Sequence, residues 1–122
     1  PLIINNYVPN NEIPNLLNQS SIILVLTNKG NRGIMTTKFF EALGVEKPIL
    51  CVRSDEECLA QVIQETESGL AATNVEEVKN FIFHYYNQWQ KRGYTHIEIK
   101  GKEQFTRQNQ AKQFEKIFNQ IQ

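Results

Sequence analysis

Three apolar runs of strand length punctuate the first half of the chain: 2–8 (LIINNYV), 21–27 (SIILVLT) and 48–52 (PILCV), each bounded by turn residues and followed by helically spaced apolar positions. That rhythm predicts parallel strands joined by crossover helices. The run 21–27 lacks polar alternation, the pattern of a strand covered on both faces, and it leads directly into a loop carrying Gly30 and Gly33. The loop therefore belongs at a strand's carboxyl end.

The helical stretches carry their own start and stop signals. Asn10 or Asn11 can cap a short helix through Leu17 with Pro14 near its first turn, and Thr36 or Thr37 can cap a helix that Gly44 ends. Ser54 with Glu57 reads as a capping box for a helix bearing Cys58, Leu59, Val62 and Ile63 on one face, with Gly69 as its stop and a very short strand at 70–72 after it. Asn74 with Glu77 opens a long helix striped by Val78, Phe81, Ile82, Tyr85 and Trp89, and Gly93 closes it. After a mixed stretch, a last helix begins near Thr106 and sets Ala111, Phe114, Ile117, Phe118 and Ile121 at helical spacing, which predicts a docked amphipathic helix.

Composition narrows the class. With 122 residues, 40% of them hydrophobic, the chain can build one core, so a single domain over 1–122 is expected. The 13 basic residues balance the 13 acidic ones and the two signs interleave, which argues against a nucleic-acid face. No run approaches a membrane span, and the start PLIINNYVPN lacks the basic, then apolar pattern of a signal peptide. The first residue is not Met, which leads us to expect a piece of a longer chain. Cys51 and Cys58 match no zinc or redox spacing, and both are expected as buried free thiols of a reducing compartment.

The segment GNRGIMTTKFFEALGVEKPILCV concentrates the candidate chemistry. A buried strand, a glycine loop and a hydroxyl-rich helix start in succession aim backbone N–H groups at one point, an arrangement that suits a diphosphate. The two glycines complete neither a Walker A motif nor GxGxxG, and the bare pattern fits an ordinary tight turn equally well. Lys38 sits in the first helical turn, a poor place for a cation unless an anion is near, or else it is a solvated surface lysine. Glu41, one turn on, can accept hydrogen bonds from two ribose hydroxyls or stand as an exposed surface acid.

The string TTKFFEALGVEKPILCV, with VPNNEIPNLLNQSSIILVL before it and VIQETESGLAATNVEEVKNFI after it, resembles the C-terminal, donor-binding domain of GT-B glycosyltransferases, in particular the family 4 type of bacterial polysaccharide synthesis. The resemblance covers nearly the whole chain and is most specific at T-x-K-hydrophobic-F-E-x-L followed by K-P-I-L. It implies a partial Rossmann-like parallel sheet with flanking helices and a UDP- or GDP-sugar donor, with no metal and no separate cofactor. Glu41 matches the ribose-holding glutamate, and Met35, Thr36 and Thr37 match the diphosphate-contacting helix start, with Gly33 and Lys38 beside them. Tyr7, Val8 and Pro9 would lie near the base. The implied acceptor is a glycan or lipid-linked sugar, met through an N-terminal domain without counterpart here, and the implied location is cytoplasmic, at the inner face of the cell membrane.

Two departures from that pattern matter. Counting eight back from Glu41 gives Gly33 where the family's E-x7-E pattern has an acid near the donor sugar. The first two strand-helix units of the donor domain, with the Arg and Lys that stabilise the leaving diphosphate, also have no counterpart, so the catalytic pair is expected elsewhere and this piece alone should not turn over. With those units missing, the run 21–27 is expected to expose an apolar sheet edge, covered by an inward shift of 2–8 or by a second copy of the chain.

His84 and His96 have no triad-like or metal-like neighbours and read as structural. The aromatics from Phe81 to Trp89 read as a packing stripe more readily than as a base platform, and Asp55, Glu56 and Glu57 as dipole partners of a helix start. The rivals are a nucleotide-sugar epimerase of the same architecture and a non-catalytic nucleotide-binding module of flavodoxin-like or receiver-like form. A receiver needs acids at the ends of its first strands, and SIILVLTN offers none.

Overall fold

The computed structural model describes residues 2–27 and 35–121. Helix α1 (Ile13–Gln19) leads into strand β1 (Ile23–Leu26), followed by α2 (Thr37–Gly44), β2 (Ile49–Val52), α3 (Cys58–Thr66), β3 (Gly69–Ala72), α4 (Val75–Arg92), a short 3-10 turn (Lys102–Phe105) and α5 (Arg107–Ile121). The three strands form one parallel sheet in the order β1-β2-β3. Helices flank it, which makes the chain an α/β fold of partial Rossmann-like form.

Register explains the core. Ile23 pairs with Ile49 and Val25 with Cys51, so these four side chains share one face of the sheet. They cluster with Phe39, Ala42 and Leu43 from α2 and Leu59 and Ile63 from α3, all buried. On the other face α4 reaches β2 and β3 and Leu50 is buried, whereas Leu24 and Leu26 of β1 are 57% and 72% exposed. The run 21–27 is thus covered on one face only. Its uniform apolarity reflects an edge strand whose outer neighbour and second face are both open.

The run 2–8 forms no strand, contrary to the expectation from its composition. Leu2 is 87% exposed, and Ile3, Ile4 and Tyr7 are similarly bare. A strand exists only against a neighbour, and no described segment pairs with this one, so the inward shift is not seen among the described residues.

Caps also differ from expectation in instructive ways. Helix α1 starts after Glu12, not Asn10 or Asn11, with Pro14 in its first turn. Helix α3 has no Ser54–Glu57 capping box, and it ends at Thr66 with Glu67 in the left-handed conformation while Gly69 opens β3. The Asn74 signal holds: its side chain accepts from the Glu77 N–H at 2.9 Å, and the Glu77 carboxylate reaches the Thr73 N–H at 2.7 Å. Gly93 closes α4 at φ 75°. Helix α5 forms where expected but buries no residue, with Phe114 and Phe118 more than half exposed, so it is not docked. Only Tyr85 of the α4 stripe is buried, while Tyr86 and Trp89 stack on each other at 6.2 Å.

The mixed stretch after Gly93 ties the amino ends of the strands together. The Thr95 hydroxyl donates to the Ser21 carbonyl at 2.5 Å, the Ile97 N–H to the Glu46 carbonyl at 3.3 Å, and the Lys100 N–H to the Thr66 carbonyl at 2.8 Å. Those acceptors precede β1, β2 and β3 in turn. Lys102 adds an ion pair to Glu46.

Gly69 permits the closest approach in the sheet. A Cβ there would lie 1.8 Å from the Ile49 carbonyl oxygen. Gly69→Ala must therefore separate β2 from β3, and urea unfolding is expected to show a loss of about 3 kcal/mol, the upper end of overpacking costs. A midpoint indistinguishable from the parent chain would contradict the assigned β2–β3 register.

Candidate functional site at the open edge of the sheet

A groove of about 800 Å³ runs along β1. Its walls are Ile13 and Leu17 of α1, all four residues of β1, and Met35, Thr36, Thr37, Lys38 and Glu41 at and after the start of α2. Five of the sequence-derived candidates thus share one surface. Gly33 lies outside the described residues. Tyr7, Val8 and Pro9 do not line the groove; they precede α1, whose Ile13 does.

The helix starts at the carboxyl end of the sheet differ in how their N–H groups are satisfied. At α3, the Asp55 carboxylate accepts from the Leu59 N–H and the Ala60 N–H, both at 2.9 Å, and from the Glu57 N–H at 3.2 Å. Partial burial alone would push the Asp55 carboxyl up, but these bonds together outweigh it and hold its pKa below the ordinary aspartate value. At α4, Asn74 and Glu77 serve the same purpose, and hydrogen bonds from Thr73 hold Glu77 below the usual glutamate range. Among the described residues helix α2 has neither device. Thr36 is extended and makes no side-chain cap bond, and the first turn contains no acid but does contain Lys38. An uncapped helix start with a cation in its first turn, facing a groove, is a setting for an anion.

Glu41 is exposed on the groove one turn along α2, beyond the buried Phe39 that anchors the helix. Its carboxylate is an acceptor-only group on the α2 side of the groove, which it shares with Thr36, Thr37 and Lys38. Thr27 and Arg53, which the sequence reading passed over, stand side by side just past β1 and β2: the Thr27 hydroxyl donates to the Arg53 carbonyl, and the Cys51 thiol reaches the same oxygen at 3.7 Å. The signal for Arg53 was its place as the residue following a buried apolar strand, which puts it at a parallel sheet's carboxyl edge.

Nucleophilic and metal chemistry find no support among the described residues. Burial pushes the Cys51 thiol up, the nearby Asp55 charge adds to this, and the Thr27 hydroxyl only partly offsets them. Such a thiol is inert at neutral pH. Cys58 is free as expected but exposed, because it opens α3 on the outer side and not on the Leu59–Ile63 face. No group of three or more metal-ligating side chains occurs among the described residues. His84 packs edge-on to Tyr85, and His96 lies 4.0 Å from Glu46 on the strap below the sheet, away from the groove. Among the described residues no helix is long and apolar enough to cross a membrane.

A family model described as glycosyl transferase-like matches residues 2–116, and the chain belongs to that family. No curated protein and no solved structure matches the chain. Family membership and the partial Rossmann-like sheet agree, since this sheet type carries its ligand sites at strand carboxyl ends.

Asp55→Ala removes the α3 cap and is expected to lower stability by about 1 kcal/mol at neutral pH. Because the folded-state pKa is lowered, the charged cap contributes fully above the ordinary value of about 3.9 and is lost as pH falls through the lowered value. Urea midpoints of parent and variant should therefore converge on acidification below that range. A gap that persists unchanged in acid would show that the carboxylate charge plays no part.

Proposed function

We propose that this chain is the donor-binding part of a glycosyltransferase and takes a nucleoside diphosphate sugar, UDP- or GDP-linked, into the groove beside β1. The observation that carries the reading is the start of α2, without a side-chain cap from any described residue, opening onto the same groove as Glu41. In this assignment the N–H groups at the start of α2 and the Lys38 ammonium receive the diphosphate, Glu41 accepts from the ribose hydroxyls, and the apolar wall of Ile13, Leu17 and β1 excludes water from one side of the nucleotide.

The resemblance to family 4 of the GT-B enzymes supports a finer version. In it, the chain forms the C-terminal portion of a cytoplasmic enzyme of bacterial polysaccharide synthesis, the acceptor is a glycan or lipid-linked sugar bound by an N-terminal domain, and the groups that stabilise the departing diphosphate come from the earlier part of the donor domain. Glycosyl transfer there breaks the bond between the sugar and the diphosphate, so each group that steadies the developing phosphate charge lowers the barrier.

Glu41→Gln tests the ribose role. Losing charge-assisted hydrogen bonds to hydroxyls should weaken UDP or GDP binding by about 1.5–3 kcal/mol, roughly ten- to a hundredfold by calorimetry. Glu41 is exposed, so the fold should be unaffected. Unchanged affinity for the nucleotide that the parent chain binds would reject the assignment.

A further inference from the structure

Strand β1 has a ladder partner on one side only among the described residues. The Ile23 N–H donates to the Pro48 carbonyl at 2.9 Å and the Thr27 N–H to the Val52 carbonyl at 3.2 Å, so alternate residues along β1 face β2. The N–H and C=O groups of Leu24 and Leu26 therefore aim away from β2, at an edge where no described strand meets them. The usual protections of an edge are missing: β1 holds no charge and no proline, and its register against β2 runs without a bulge.

The same chain carries a segment of the kind that such an edge takes. The run 2–8 contains no charged residue and no proline, and in an extended strand its apolar side chains fall on both faces, Leu2, Ile4 and Val8 on one and Ile3 and Tyr7 on the other. Strand β1 is apolar on both faces too, with Ile23 and Val25 buried in the core and Leu24 and Leu26 bare. Leu2, Ile3, Ile4 and Tyr7 are each more than three-quarters exposed, an apolar surface that soluble single chains rarely leave in one piece. Val8 precedes Ile13, which lines the groove beside β1, by five residues, a reach of roughly 17 Å when extended. Two copies set groove to groove thus bring the run of each to the β1 of the other.

We propose that a second copy of this chain covers the edge: the run 2–8 of each copy pairs with β1 of the other, and the exchange closes into a two-fold dimer. Reciprocity follows because each copy carries one such run and one such edge, so a closed pair satisfies both, whereas one-way addition leaves one of each bare at its ends. Leu2, Ile3, Ile4, Leu24 and Leu26 offer on the order of 100 Å² of apolar surface each and Tyr7 rather more, so each copy brings roughly 600–700 Å² before the backbone is counted. That is close to the roughly 800 Å² per partner of a standard stable interface. The inference does not rest on the groove being a nucleotide site. A strand seated against β1 and a ligand in the same groove exclude each other, so the test is run without nucleotide.

Sedimentation velocity over a wide range of concentration, paired with amide hydrogen exchange, provides the test. A dimer is expected in which the amides of Leu24, Leu26 and the run 2–8 are protected, and these protections should disappear together on dilution to the monomer. Ile3→Pro and Ile4→Pro lie in a segment that no described strand pairs with, so neither disturbs the single-chain fold. Consecutive N–H groups point to opposite sides of a strand, so whichever way the run pairs, one of the two variants removes a bond to β1 and should weaken the dimer about tenfold. Leu24→Pro removes an outward N–H without touching the bonds to β2 and should weaken it similarly, with thermal melts reporting whether the sheet is intact. A chain that is monomeric at every concentration overturns the inference, and if its Leu24 and Leu26 amides are protected at every dilution, the edge is covered from within the chain. A dimer whose Leu24 and Leu26 amides exchange freely, or one that Phe118→Ser on α5 dissolves while both run variants leave it intact, also overturns it.

Discussion

Everything in this small sheet hangs on the burial of β2 between two parallel neighbours. Ile49, Leu50 and Cys51 are almost wholly withdrawn from water, and Ile49 meets Ile23 on one side and Gly69 on the other. Three strands of four residues each make a minimal ladder, one that needs helices on its faces to persist. The glycine at 69 lets β3 close onto the Ile49 carbonyl, and the 95–100 strap fastens the amino ends of all three strands from below. With that end tied, the carboxyl end is where loops and helix starts are free to serve a ligand, the usual division of labour in parallel sheets.

The same constraint explains why the candidate site lies at β1. As the outer strand, β1 offers its edge and the exposed Leu24 and Leu26, and α1 and α2 lean over that edge to form a groove. Among the described residues helix α2 begins there without a side-chain cap, while α3 and α4 consume their nearby carboxylates. Electrostatics and shape thus coincide at one place: an apolar wall, a positive helix end and the acceptor oxygens of Glu41 border one groove. Membership in the glycosyl transferase-like family gives that combination a chemical sense.

Much of this was legible in the residues. Apolar runs located β1 and β2, Asn74 and Gly93 bounded α4 almost to the residue, and the T-T-K-F-F-E string placed Met35 through Glu41 on one helix start. What failed depended on partners. The run 2–8 has strand composition but no neighbour to pair with among the described residues, the α5 stripe has helical spacing but buries no residue, and 21–27, at the sheet edge as expected, has the uniform apolarity of a strand covered on both faces while Leu24 and Leu26 stay exposed. Local pattern specifies what a segment can bury and says nothing of whether a second surface is there to receive it. The strap was missed for a related reason: THIEIK alternates, with Thr95 and Ile99 buried and His96, Glu98 and Lys100 exposed, but its three bonds join residues far apart in sequence, so the alternation alone does not name its partners.

Amide mapping tests the central claim most directly. With the chain uniformly labelled with nitrogen-15, titration of UDP and of GDP should move the backbone resonances of Met35 through Glu41 together with those of β1, while the amides of α4 around His84 and Trp89 and those of α5 stay still. Shifts confined to α4 or α5, or none at saturating concentrations of either nucleotide, would contradict a nucleotide site at the open edge of the sheet.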